Sequence, residues 1–589
     1  MKNNHGTVSN ICYALKLIRT CSPHYLLWEI VYGILLGIWG SAAVVFTQIF
    51  YNALFEDGDF PEILRIIGIM LILTVLYQFW SQWYTSVFRP KMRARLQYGV
   101  NRILFEKNAE LDLDCYNNPE FYNDFVWAMS ECDSQLAGVV DSISNTFQHV
   151  LAFVISSGVM ASVSPVLAIV AVLTSIMHIV LQRFWIKSDL KRKLALTPLN
   201  RKNAYYESLF NTPDYAKDMR TSRVSEILSE KYTENQKQIK DTHIKYNSKL
   251  LKYIIPFNLL SGIMQPIVYG ILFYQIIVQK TLGMASLAVA FTAFWSLRYR
   301  IQGVIDLFLK YSQHGLYIGQ IRKYMSYCSA VRFGDIAAPA FQSMELKNVS
   351  FGYVPGKTVL SNISMKINRG EKIAIVGYNG AGKSTLISLL LHLYNPGHGE
   401  ILYNGKSIEE FDSASIHSRI GVVLQDYRIF VLPLSENVLR DKFEESDESR
   451  IRYALKNACF ESKLQTLPDG ICSEMTKEFY KDGVNLSGGE SQKVAISRIF
   501  ASPFDVIIMD EPSAALDPKA EHDLSINLAK HAKGKTVIII SHRLSTTCAM
   551  DKIYMFDGGK IIEEGSHSEL MEAGGKYAQI FNMQAEKYQ

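Results

Sequence analysis

The sequence predicts an α-helical polytopic membrane domain of six spans followed by an α/β domain. Two observations carry this. Long apolar stretches nearly free of charge fill the first 340 residues, and beyond residue 370 short apolar runs end in glycine-rich or acidic segments that lead into helix-like runs.

The membrane half follows from length. Tyr253 to Gln279 holds 27 residues without Asp, Glu, Lys or Arg, about 40 Å as a helix against the ~30 Å of a hydrocarbon core. Tyr25 to Phe50, Ile63 to Phe88, Val139 to Val163, Pro165 to Trp185 and Leu282 to about Phe308 read the same way, although Glu29, Arg65, His149, His178 and Arg298 interrupt them. Six such stretches exclude an ordinary soluble protein.

Orientation follows from the connectors, because lysine and arginine gather on the cytoplasmic side. Tyr51 to Glu62 carries four acidic residues and no basic one, and the connector at Ser164 is very short, so both face outward. Arg89, Lys91, Arg93, Arg95, Arg102 and Lys107 follow the second span, and Lys187, Lys191, Arg192, Lys193, Arg201 and Lys202 follow the fourth. The N-terminus and the α/β domain are therefore expected inside, at the cytoplasmic membrane and in contact with its lipid. The two inward connectors are long enough to extend the membrane helices into the cytosol.

Ahead of the first span, Ile11, Leu15 and Ile18 recur at helical spacing beside Lys16 and Arg19, which suits a helix lying in the membrane interface. A cleaved signal peptide is not expected, since the following apolar run is too long. Ala337-Ala338-Pro339-Ala340 marks a linker, giving a transmembrane domain over 1–330, a linker over 331–341 and the α/β domain over 342–589. A net charge of +5 over 589 residues implies no nucleic-acid partner. The eight cysteines lack metal-ligand spacing and read as reduced thiols.

The α/β half carries the chemistry. Gly377-Tyr378-Asn379-Gly380-Ala381-Gly382-Lys383-Ser384 matches the phosphate-cradling P-loop pattern, with the apolar run Lys372 to Val376 before it and a helix-like run from Thr385 to Leu391 after it. Its glycines let backbone N–H groups turn toward phosphate at a helix N-terminus; Lys383 would reach the outer phosphates and Ser384 a magnesium ion. Val506 to Glu511 is an apolar strand ending in two carboxylates, the pairing needed for a magnesium-organising Asp510 and a water-polarising Glu511.

Leu486-Ser487-Gly488-Gly489-Glu490 then precedes an apparent helix, Ser491 to Phe500. Here the chain resembles the ATP-binding cassette (ABC) family, whose signature is L-S-G-G-Q. The resemblance implies further roles. Tyr353 would stack on adenine, Gln425 would be the Q-loop glutamine reaching magnesium, Asp517 the D-loop aspartate and His542 the switch histidine after the strand Thr536 to Ser541. Thr385 joins the ATP-binding set. Asp114 to Tyr122 resembles the segment near the first coupling helix of ABC exporters, and the region around Asn211 to Arg220 occupies the place of the second.

Six spans and one cassette resemble a half-size exporter of the multidrug, lipid and peptide group, over essentially the whole chain. That implies a dimer, with ATP and Mg2+ held between the P-loop of one copy and Ser487, Gly488, Gly489 and Glu490 of another. A homodimer is favoured and a heterodimer remains open. An ATP-gated channel or regulator, or an importer, on the same scaffold stays as the alternative. Two departures stand out: Glu490 replaces glutamine and brings a negative charge near the nucleotide, and Glu478 to Gly483 lacks the family's usual pattern before the signature.

The sixth span adds an expectation for the substrate path. A helical wheel places Thr292, Trp295, Ser296, Tyr299, Gln302 and Asp306 on one arc, with Arg298 at its border as a snorkelling residue or an anchor for an anionic group. Ala293, Phe294, Leu297, Ile301, Val304, Ile305 and Phe308 take the other arc.

Overall fold

A computed structural model of the chain describes residues 6–57, 60–212, 215–280, 282–329, 331, 333–354, 356–512, 516–541 and 547–585. It divides into two compact units, Met1–Ala109 with Asn123–Ser326, and Glu110–Tyr122 with Tyr327–Gln589.

The first unit is helical. After α1 (Thr7–Cys21) come α2 (Pro23–Asn52), α3 (Phe60–Trp83) and α4 (Arg89–Ala109); the short α5 (Leu113–Tyr116) belongs to the second unit. Then follow α6 (Pro119–Val163), α7 (Pro165–Asn211), the short α8 (Ala216–Thr221), α9 (Val224–Phe273) and α10 (Met284–Met325). The 45 residues of α6 make a rod of about 68 Å, so it continues well past what a hydrocarbon core requires, as the long connectors suggested. Single π-turns at Ala53–Asp57, Tyr84–Phe88 and Tyr274–Val278 fall near the ends of the apolar stretches.

Among the described residues, Pro23–Phe55, Phe60–Ala109 and Glu120–Val163 contain stretches long and apolar enough to cross a membrane, and Gly262–Val278 is apolar but shorter. Of the other three expected spans, Pro165 to Trp185 lies within α7, Tyr253 to Gln279 runs from α9 through the π-turn Tyr274–Val278, and Leu282 to Phe308 coincides with α10 from Met284 onward. Leu71, Leu76 and Phe79 of α3 are exposed, and none of its residues is buried, as fits a surface turned to lipid. The packed side is held by Met160 of α6, Leu167 of α7, Val268 of α9 and Phe294 and Leu297 of α10. Helices α2 and α6 approach closely at Gly33, where a Cβ would strike the Ser144 carbonyl, and at Gly37, where it would sit 3.0 Å from that of Gln148. Small residues four apart allow this backbone contact.

Charges in this unit knit helices together. The Glu29 carboxylate of α2, fully buried, accepts from Arg89 of α4 at 2.7 and 3.1 Å; Arg89 also donates to Asp141 of α6 at 2.8 Å, and Arg93 reaches Asp141 at 2.6 Å. Helix α1 forms, with Asn10, Ala14 and Ile18 buried and Ile11 and Leu15 partly exposed. Asn10 Nδ2 donates to the Gly315 carbonyl of α10 at 2.9 Å, which holds that face inward.

The second unit holds two sheets. One has β2-β1-β4-β5, all antiparallel: β1 (Ser343–Phe351), β2 (Leu360–Asn368), β4 (His398–Tyr403) and β5 (Lys406–Ser407). The other has β10-β9-β3-β8-β7-β6: β3 (Lys372–Gly377), β6 (Ile420–Val423), β7 (Val506–Asp510), β8 (Thr536–Ile540), β9 (Lys552–Asp557) and β10 (Lys560–Gly565). Pairing is parallel from β9 through β3, β8 and β7 to β6, with β10 antiparallel at the edge. Such strands are covered on both faces and read as continuous apolar runs, which is why Ile373 to Val376 and Val506 to Met509 lack alternation.

Leu346 and Ile363 of the first sheet meet Ile375, Ile508 and Leu386 in one core; on the other face, Ile507 and Met509 meet Val494, Ile499, Leu455 and Phe460. Each such side chain contributes roughly 1.5–3 kcal/mol when fully buried. The two cores fix the helices Lys383–Leu390 and Gly488–Ala501 relative to the carboxyl ends of β3 and β7.

Candidate nucleotide site

At the end of β3 the chain turns on glycine. Gly377 lies so close to Phe556 of β9 that a Cβ would collide with its carbonyl oxygen. Gly382, at φ 98°, caps the helix Lys383–Leu390 in the left-handed region, where a side chain is disfavoured. Tyr378, Asn379 and Gly380 are exposed at the rim, and Ala381 and Gly382 are buried beneath it. The Lys383 ammonium sits inside this loop, donating to the carbonyls of Gly377 and Tyr378 at 2.8 and 2.9 Å. Burial pushes it below the ordinary lysine range, against the opposing pull of Glu511 and Asp510.

The carboxylates come from β7. Asp510, the last residue of the strand, accepts from Ser384 Oγ at 3.1 Å. Hydroxyl and carboxylate oxygens side by side are hard donors that suit Mg2+, with its waters and the phosphates of a nucleotide supplying the rest. Gln425, also expected in that set, donates instead to Glu511 Oε2 at 3.1 Å, so it touches the carboxylate next door.

Glu511 stands just past the strand with φ 50°, a left-handed backbone that costs a non-glycine residue about 1 kcal/mol or more. Two bonds hold it there: its N–H donates to Ile540 O of β8 at 3.0 Å, and its carbonyl accepts from Gln492 Nε2 at 3.3 Å. Gln492 is buried on the signature helix and was not singled out from sequence, since nothing in a single glutamine there marks a contact 19 residues away.

Tyr353 donates to Thr385 Oγ1 at 3.2 Å and packs edge-on to Phe351 and Tyr394, with centroids 5.0 and 5.3 Å away. Asp517 caps the helix Pro518–His531 by accepting from Ala520 N at 2.9 Å, a bond that holds its carboxyl below the usual range. His542 lies outside the described residues.

The signature forms a reciprocal cap. Ser487 Oγ accepts from Glu490 N at 3.4 Å, and Glu490 Oε2 accepts from Ser487 N at 2.7 Å. Glu490 Oε1 meets Lys463 Nζ at 3.1 Å. Gly488 offers its carbonyl to Tyr427 OH at 3.1 Å, while Gly489 is partly buried in the first turn. Arg498 anchors the far end of this helix by donating to the carbonyls of Asn437 and Arg428 at 3.0 and 2.8 Å; burial, with Arg440 nearby, lowers its guanidinium to about 10.

The family model for the ABC transporter matches residues 360–514. The C-terminal unit carries an ABC transporter domain. Among relatives of this chain, the putative multidrug export ATP-binding/permease protein YgaD of Bacillus subtilis is 37% identical over 242 residues, 41% of each chain. The ATP-dependent lipid A-core flippase of Alcanivorax borkumensis is 34% identical over 248 residues, 42% of each. These alignments span about two fifths of the relatives' length. The subtilin transport ATP-binding protein SpaT of Bacillus subtilis is 25% identical over 588 residues, 96% of this chain and 92% of that one. A solved bacterial Atm1-family ABC exporter with ATP bound superimposes with a TM-score of 0.76 at 23% identity, covering 95% of this chain and 98% of that one, and shares its fold.

In the helical unit, the residues of the expected substrate path are spread along α10. Ser296 pairs with Ser156 of α6 at 3.1 Å, Trp295 lies 5.0 Å beneath the Arg298 guanidinium, and Thr292 donates to its own helix at Ala288 O. Tyr299 is exposed, and Gln302 and Asp306 are partly buried. Ala293, Phe294 and Leu297 of the other arc are in the core, whereas Phe308 is exposed. Arg300, absent from the expected set, is the buried arginine here: it is 7% exposed, lies 5.3 Å over the Tyr299 ring and rests against Gly40 of α2.

Proposed function

We propose that this protein is an ATP-hydrolysing exporter that works as a dimer, moving a hydrophobic or amphipathic small molecule, lipid or peptide across the cytoplasmic membrane by alternating access. The observation that carries the reading is the convergence of Lys383, Ser384 with Asp510, and Gln425 with Glu511 at the carboxyl ends of β3 and β7. These groups offer a phosphate cradle, hard oxygens for a metal and a carboxylate poised for water.

In the proposed reaction the loop and Lys383 bind the β and γ phosphates of ATP. Ser384 and Asp510 would hold Mg2+, which would supply positive charge to offset that of the phosphates. Glu511 accepts a hydrogen bond from the attacking water and orients it, with Gln425 setting the rotamer of the carboxylate. His542 would hold that water and the γ-phosphate in line. Ser487 and Gly489 of a second copy donate to the same phosphates, so closure requires two cassettes. Closure and product release then shift the helical unit between inward and outward states. Multidrug export, lipid A-core flipping and subtilin transport among the named relatives support the range of cargo, and the exposed apolar surface of α3 supports a bilayer setting.

Purified protein in sealed vesicles tests this. ATP hydrolysis and vectorial movement of a cargo should both be present in the native chain and both be lost in Glu511→Gln. Hydrolysis without movement across lipid, drug and peptide panels would point to a channel or regulator.

A further inference from the structure

The extra negative charge at Glu490 is answered within the same unit. We propose that Lys463 is a positioning residue for the nucleotide sandwich: it neutralises Glu490 and keeps that carboxylate folded over the cap of the signature helix, so that Ser487 and Gly489 face the phosphates without a competing anion. This rests on the ATP-sandwich reading above and adds a residue to it.

Geometry carries the inference. Both oxygens of Glu490 are committed, one to the Ser487 N–H at 2.7 Å and one to Lys463 at 3.1 Å. The pair is only partly exposed, 30% for Lys463 and 27% for Glu490, so solvent screens it incompletely. Lys463 is not on a free arm: it sits in the short helix Glu461–Leu464, whose neighbours Phe460 and Leu464 are buried in the same core as Val494 and Ala495 of the signature helix. One core therefore sets the positions of both partners. Desolvation pushes the Glu490 carboxyl up, but the Ser487 N–H and Lys463 outweigh it and leave the group below the usual carboxylate range, charged at working pH.

The physical consequence is electrostatic. A triphosphate brought to the signature by another copy meets a Glu490–Lys463 dipole rather than a bare anion, and a dipole's field falls off faster than that of a charge. Removing Lys463 restores the bare anion and releases one oxygen from the cap. Removing the charge of Glu490 makes Lys463 dispensable for this purpose.

The experiment measures ATPase kinetics of the full-length protein in lipid nanodiscs for native, Lys463→Met, Lys463→Arg, Glu490→Gln and the Glu490→Gln/Lys463→Met double variant. Lys463→Met should raise the KM for ATP about fivefold with a much smaller change in kcat, and the rise should shrink as salt increases. Lys463→Arg should restore the native KM. In the Glu490→Gln background, Lys463→Met should add no further change. Equal rises in both backgrounds, an unaltered KM in Lys463→Met, or failure of the arginine rescue would each overturn the proposal. Glu511→Gln run alongside separates the two layers: native-like hydrolysis there removes the ATP-site reading itself, whereas an inactive Glu511→Gln with uncoupled Lys463 and Glu490 removes only the role of Lys463.

Discussion

The two units use charge in opposite ways. In the helical unit, Glu29, Arg89, Arg93 and Asp141 come from three helices and spend their charge on one another. In the cassette unit, Lys383, Asp510 and Glu511 cluster at strand ends with the ammonium held mainly by carbonyls and the carboxylates met by neutral donors, Ser384 Oγ and Gln425 Nε2. Under the proposed function the difference separates charge that builds a fold from charge kept for a reaction, and substitutions at the two places should fail in different measurements.

The largest effect is expected at Glu511. Glu511→Gln should lower ATP turnover about a thousandfold, equivalent to ~4 kcal/mol, while leaving nucleotide binding and unfolding temperature close to native. A matching loss of stability would erase the contrast, because it would make Glu511 a structural residue.

Glu29→Gln is the converse experiment. It leaves the Arg89 guanidinium short of its buried partner and should cost about 3 kcal/mol of stability in detergent, read from thermal or denaturant unfolding. Its affinity for ATP should stay native. A stable Glu29→Gln protein with altered transport would place that cluster among the working parts.

Lys383→Ala should weaken ATP binding by about 2 kcal/mol, close to thirtyfold, through loss of a charged donor to the phosphates. Calorimetric titration of the full chain reads this directly, and unchanged affinity would contradict the loop's role.

The smallest signal concerns α10. In a background with the native cysteines replaced, Tyr299→Cys and Gln302→Cys should react with a water-soluble thiol reagent in the inward-open state, and Ala293→Cys and Leu297→Cys should not. Equal labelling would remove the assignment of this face to the substrate path.

What could be read from the sequence follows the same division. The phosphate loop, the strand ending in Asp510-Glu511 and the signature are contiguous, so their local order declares them, and the strands Lys372–Gly377, Val506–Asp510 and Thr536–Ile540 lie where apolar runs placed them. Residues that act by reaching across the fold were invisible. Gln492 meets Glu511, and Lys463 meets Glu490 from 27 positions away. Glu29 looked like an interruption in an apolar helix because its partners lie 60 and more positions further on. On α10 a wheel sorts residues by angle but not by their neighbours, so the burial of Arg300 against Gly40 of another helix was not legible from it. On α1, Asn10 likewise gave no signal, since it is polar yet buried against a carbonyl of α10.

The left-handed backbone at Glu511 implies a trade between durability and work at a single position. A residue at ease with positive φ, such as glycine or asparagine, would relieve a penalty on the order of 1 kcal/mol and make the cassette sturdier. It would also remove the carboxylate. With Glu511 in its proposed role, selection for heat resistance alone should drift toward inert variants at position 511, and an active chain carries the strained form at a standing cost to its stability.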